Sequence, residues 1–133
     1  MIEIVYVRER ERTKIMEQKI LAYLKEHEAE IFEDLKSLVL TEASTSDIEA
    51  LAKVREKLVM LIKERTGEDC FVYEAENGHC PVRFQYGKGT EKILFIGHYD
   101  TVHLIGALKY YTEGNELHGP GAYVSLLQNG KAL

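Results

Sequence analysis

The chain has 133 residues, enough for one domain with its own core, and its 45% hydrophobic and 29% charged content is that of an ordinary globular protein, not a disordered one. The net charge of -5 comes from interspersed Glu, Lys and Arg, which argues against a nucleic-acid footprint. The longest uncharged apolar run, near Ile93–Ile96, is far too short for a membrane span, and the N-terminus lacks a signal-peptide pattern, so a cytoplasmic protein with neither nucleic acid nor membrane as partner is expected.

Residues 2–7, Ile-Glu-Ile-Val-Tyr-Val, favour a short strand through their β-branched content, within an N-terminal extension of residues 1–15. Arg8 to Arg12 alternates charge without an apolar stripe. From Thr13 the pattern turns helical: Ile20, Leu24, Ile31, Leu35 and Leu38 recur on one face, predicting one long helix, or two abutting ones with a break near His27, that ends around Leu40. Ser46-Asp47-Ile48-Glu49 matches a capping box and opens a further helix carrying Ile48, Leu51, Ala52, Val54, Leu58, Val59 and Ile62, with Gly67 as its stop. Both stripes read as core faces, with Lys and Glu as their solvated surroundings.

Strands are expected at about 69–76, 79–86 and 91–97, separated by Asn77-Gly78 and by Gly87-Lys88-Gly89-Thr90, forming an antiparallel meander. A two-residue turn at Asn77-Gly78 pairs Ala75 with Cys80 and Cys70 with Gln85. That register sets the two cysteines roughly 17 Å apart, beyond disulfide reach, and predicts reduced thiols. Their spacing also fails the Cys-x-x-Cys pattern of structural zinc sites. Ile93 to Ile96 is continuously apolar and reads as a strand buried on both faces. A smaller hairpin is expected around Tyr110–Leu117. The fold class is α/β: two N-terminal helices packed on a β-sheet that contains the meander.

Chemistry enters where the apolar run ends, in Gly97-His98-Tyr99-Asp100-Thr101-Val102. With a side-chain period of two, extended backbone projects His98 and Asp100 to one side and turns Tyr99 away. An imidazole that ligates a metal beside a carboxylate that orients it is half of a metal site. Asp100 read alone would equally close a turn or cap the next segment. His103 and His118 read as surface or structural side chains because neither has ligand spacing, and His27 and His79 carry less signal still. Gly119-Pro120-Gly121 taken alone is a tight turn.

His98-Tyr99-Asp100-Thr101-Val102, followed by Thr112-Glu113-Gly114-Asn115 and Leu117-His118-Gly119-Pro120-Gly121-Ala122, resembles the aminoacylase, acetylornithine deacetylase and glutamate carboxypeptidase family of zinc metallopeptidases. The likeness runs in order from about Met16 to Ala122 and is nearest to the glutamate carboxypeptidase-like members. It implies zinc as the family's cofactor, His98 as a zinc ligand and Asp100 as the residue that orients it. The family continues Gly-Pro-Gly with two residues and an aspartate that bridges two zinc ions. Val124 stands at that position here, and neither its isopropyl group nor the neighbouring Ser125 replaces a bridging carboxylate.

The resemblance therefore implies a partial, truncated catalytic domain over residues 16–123, followed by a tail, 124–133, that departs from the family pattern. The glutamate general base, the later carboxylate ligand, the distal histidine and the dimerisation domain belong to parts not matched here. His98 is then a vestigial single metal ligand and Asp100 its vestigial orienting partner, with no zinc or only weak zinc expected. Two functions follow. One is a zinc metallopeptidase-like protein of amide- or peptide-hydrolase ancestry, inactive alone and open to a complementary peptidase fragment. The other is a noncatalytic module that binds a partner or itself, most simply as a homodimer, because Ile93–Ile96 needs cover on both faces.

Overall fold

The computed structural model describes residues 2–114 and 116–120. Among these the chain forms helices α1 (Ile2–Glu26), α2 (Glu28–Val39) and α3 (Ile48–Thr66), and strands β1 (Phe71–Val72), β2 (Val82–Arg83), β3 (Tyr111–Glu113) and β4 (Glu116–His118). The mixed α/β class holds. In place of one sheet with a meander, however, there are two separate antiparallel pairs, β1 with β2 and β3 with β4. Two compact units are present, Met1–Leu35 and Lys36–Leu133. No helix among the described residues is long and apolar enough to cross a membrane.

The first unit is helical from Ile2 onward, so residues 2–7 do not form the expected strand. A helix satisfies its own backbone N–H and C=O groups, whereas a strand there would need a neighbour to pair with. The break falls at His27, yet hydrogen bonding passes through it: the His27 N–H donates to the Tyr23 carbonyl (3.0 Å) and the Ile31 N–H to the His27 carbonyl (2.9 Å). The His27 ring lies 4.2 Å from that of Tyr23, and its Nδ1 is 3.3 Å from Glu30 Oε2. That makes it a local structural residue. Ile20, Leu24, Ile31 and Leu35, expected as a core face, are exposed. Among its described residues the unit is helical apart from the turn at His27 and supplies no second layer for a stripe to bury against.

The second unit holds the core: Ala43, Leu51 and Val54 are buried together, with Leu38 and Tyr99 packed against them. Helix α3 enters this core through Ala50, Leu51 and Val54. Its N-cap is Asp47, whose Oδ1 accepts from the Ala50 N–H at 3.0 Å, one residue after the Ser46 that the capping box predicts. Ser46 is engaged elsewhere, its hydroxyl 3.1 Å from that of Ser44. Gly67 ends the helix in the left-handed region at φ 74°, donating to the Lys63 carbonyl, as its sequence position predicts.

Strands β1 and β2 pair Phe71 with Arg83 and Val72 with Val82, a register one residue away from the expected one. The cause is the turn. A two-residue type I′ turn needs φ > 0 at Asn77 as well as at Gly78, but among the described residues only glycines take positive φ, Gly78 at 77°. The Gly78 N–H donates to the Ala75 carbonyl (2.9 Å), giving the three-residue connection Glu76-Asn77-Gly78 that closes on a left-handed residue. One residue of slip moves side chains to the opposite face. Cys70 and Cys80 are free thiols, the second buried.

The third expected strand does not form. Ile93, Leu94, Phe95 and Ile96 are 82–88% exposed in non-strand backbone, because among the described residues no strand pairs with this segment and a lone strand leaves its hydrogen-bonding groups to solvent. The smaller hairpin does form, pairing Tyr111 with His118, Thr112 with Leu117 and Glu113 with Glu116. Val124, Ser125 and the rest of the tail lie outside the described residues.

Urea unfolding checks this packing. Leu51→Ala is expected to destabilise the second unit by about 2–5 kcal/mol and Asp47→Ala by about 1 kcal/mol. Glu49→Ala is expected to stay within about 0.5 kcal/mol of the parent; a loss at Glu49 as large as at Asp47 would restore the capping box.

Candidate functional site

The site is made where the α2–α3 connector meets the segment that follows the apolar run. Ser44 and Thr101 form a parallel bridge: the Thr101 N–H donates to the Ala43 carbonyl (2.7 Å) and the Thr45 N–H to the Thr101 carbonyl (2.8 Å). Backbone held extended at Thr101 alternates its side chains. Tyr99 turns to the core and donates its hydroxyl to the Cys80 carbonyl at 2.8 Å. Further along, the Gly106 N–H donates to Glu42 Oε2 at 2.6 Å, tying the next loop to the same connector.

His98 Nδ1 stands 3.5 Å from Asp100 Oδ1, with the His98 side chain 70% exposed and that of Asp100 30%. The sequence places these two together and the structure does so. At that separation the pair is a contact at the outer limit of a hydrogen bond. The other carboxylate oxygen, Oδ2, accepts from Thr45 Oγ1 at 2.8 Å. That hydroxyl is also 2.9 Å from the Thr101 carbonyl, so its single proton is shared between two acceptors.

This arrangement directs one imidazole nitrogen at a carboxylate and leaves Nε2 as the nitrogen able to bind a metal or accept a proton. It fits the part of a zinc site that one ligand and its orienting carboxylate make. A catalytic zinc takes three protein ligands; among the described residues no group of three or more His, Cys, Asp and Glu side chains able to hold a metal occurs. His118 belongs to the β3–β4 hairpin, stacked on Tyr111 at 4.4 Å with the rings 4° apart. Among the described residues its buried Nε2 has no hydrogen-bond partner, although Glu116 Oε2 lies 3.3 Å away. His103 is half-buried and joins no donor group among the described residues. An open depression of about 340 Å³ lined by Arg55, Glu56, Val59, Met60 and Val72 does not include the pair.

Thr45 is the site residue that sequence reading misses. Its only sequence signal is the hydroxyl-rich Ser44-Thr45-Ser46 ahead of α3, which reads as capping. No protein-family model, curated protein or solved structure matches the chain.

Partial burial, and then the neighbouring Asp69 carboxylate, raise the Cys70 thiol above its ordinary range. Less thiolate exists at a given pH below that midpoint, so Cys70 is expected to alkylate more slowly near neutrality than an unperturbed thiol, its rate rising over a pH range displaced upward. Both cysteines should titrate as free thiols under denaturing, nonreducing conditions. An intramolecular crosslink in the mass spectrum would overturn the hairpin geometry.

Proposed function

We propose that this chain carries the N-terminal share of a zinc-hydrolase-like catalytic domain of the aminoacylase and glutamate carboxypeptidase type, with His98 as a metal ligand, Asp100 as its orienting carboxylate, and no turnover by the chain alone. The observation that carries this reading is the His98–Asp100 contact at 3.5 Å, made at the end of the apolar run where the quoted motif puts it. A zinc ion held there by His98 would supply Lewis-acid polarisation of an amide carbonyl and an activated water. On this reading the further ligands and the base would come from a complementary peptidase fragment. The acylated amino acids or small peptides on which that family acts define the substrate class to assay. Free Cys70 and Cys80 support a reducing, cytoplasmic setting.

Elemental analysis with an amidase assay tests this. The purified chain is expected to hold substoichiometric zinc, reduced further by His98→Ala, and to leave N-acyl amino acids and dipeptides intact. Val124→Asp is expected not to restore turnover. Tight stoichiometric zinc with activity abolished by His98→Ala would sink the proposal and point to ligands from His103, His118 or a second subunit.

A second reading, a noncatalytic module that binds itself or a partner, is favoured by the exposure of Ile93–Ile96 at 82–88%. Four consecutive large apolar side chains in solvent form a patch that association relieves, and a second copy is the simplest occupant. Sedimentation across a dilution series is expected to show a homodimer; a folded monomer persisting at high concentration would exclude self-association.

A further inference from the structure

We infer that Thr45 is a positioning residue for the candidate site, its hydroxyl holding the Asp100 carboxylate so that the opposite oxygen keeps His98 in the Nδ1–H tautomer with Nε2 unprotonated. The inference rests on the reading of His98 and Asp100 as a ligand and its orienting carboxylate.

Asp100 by itself lacks a fixed orientation. The terminal torsion of an aspartate is broad and roughly twofold, and this side chain is 30% exposed, so its 3.5 Å contact with an imidazole that is itself 70% exposed does not determine its orientation. A hydrogen bond to the second oxygen does. Thr45 Oγ1 lies 2.8 Å from Oδ2, and a hydroxyl donating to a carboxylate is the stronger, charge-assisted kind. The competing acceptor, the Thr101 carbonyl at 2.9 Å, already receives the Thr45 N–H.

Thr45 is in turn held by rigid parts. Its backbone is set by the bridge to Thr101, and β-branching restricts its χ1. The hydroxyl is therefore placed by the connector before any ligand arrives. Asp100, anchored through Oδ2, presents Oδ1 to His98 Nδ1. In a neutral imidazole one nitrogen donates and the other accepts; a donor Nδ1–H facing the carboxylate leaves the lone pair on Nε2. Solvent-exposed histidine favours the opposite tautomer, with the proton on Nε2, so the bias is diagnostic.

Long-range proton–nitrogen NMR spectra of the ¹⁵N-labelled full chain, recorded where His98 is neutral, read the tautomer ratio directly and need neither metal nor activity. The parent is expected to favour Nδ1–H, and Asp100→Ala to abolish that preference. Thr45→Val, which keeps the shape and the backbone bridge but removes the hydroxyl, is expected to lower the ratio about fivefold, the factor that one hydrogen bond of ordinary net strength is worth. Thr45→Ser is expected to keep the parent ratio. Should the valine variant lose its folded amide spectrum, Thr45→Ala removes the same hydroxyl with less bulk. If Asp100→Ala leaves the ratio unchanged, the reading of the pair fails. If Asp100→Ala abolishes the bias while a variant without the hydroxyl retains it, or Thr45→Ser loses it, Thr45 has no positioning role and the pair stands.

Discussion

Thr101 gives both of its backbone hydrogen-bonding groups to the α2–α3 connector, its N–H to Ala43 and its carbonyl to Thr45, and the second unit is organised around that exchange. The Thr45 and Thr101 partners are separated by 56 residues. Closing a flexible loop of that length costs roughly 3–4 kcal/mol before its constant term, and two hydrogen bonds return about 1 kcal/mol each. The bridge therefore does not hold itself. It stands because Ala43, Leu51 and Val54 are buried beside it and Tyr99 packs on them, each large apolar side chain adding roughly 1.5–3 kcal/mol when fully buried.

From that bridge the chemistry separates from the structure by alternation. Tyr99 faces inward, its hydroxyl satisfied by the Cys80 carbonyl, which links the segment to the chain just before β2. Asp100 reaches the Thr45 hydroxyl, and His98 remains outside and largely solvated. A single backbone conformation thus spends one residue on packing and two on a polar arrangement. The polar part takes the geometry of Asp100 from the packed part, through the Thr45–Thr101 bridge.

What was legible in the sequence is what neighbouring residues decide among themselves. The stop at Gly67, the hairpin through Tyr111 and His118, and the shared side of His98 and Asp100 all follow from local periodicity or glycine chemistry, while the same periodicity left one long helix or two abutting ones open and the chain takes the second, with its break at His27. The misses have a common cause: each turns on a partner distant in sequence or on one dihedral sign. The strand expected at 2–7 and the one at 91–97 both presuppose a neighbouring strand. The Ile20–Leu35 stripe presupposes a second layer. The hairpin register turned on whether Asn77 takes positive φ, which the Asn-Gly signature favours but does not compel. Thr45 was invisible because its meaning lies 55 residues away, at Asp100.

The exposed run and the polar pair adjoin in the chain, which joins the two functional readings physically. Ile93–Ile96 ends at Gly97, and His98 follows directly. On the C-terminal side the pair is fixed by Thr101; on the N-terminal side nothing among the described residues fixes it, and the 3.5 Å separation of His98 from Asp100 is the looseness expected of a residue held from one side. A strand laid against Ile93–Ile96 would satisfy its backbone groups and cover its side chains. It would also fix the backbone entering His98. Order at the apolar run and the separation of His98 from Asp100 thus draw on the same few backbone dihedrals around Gly97.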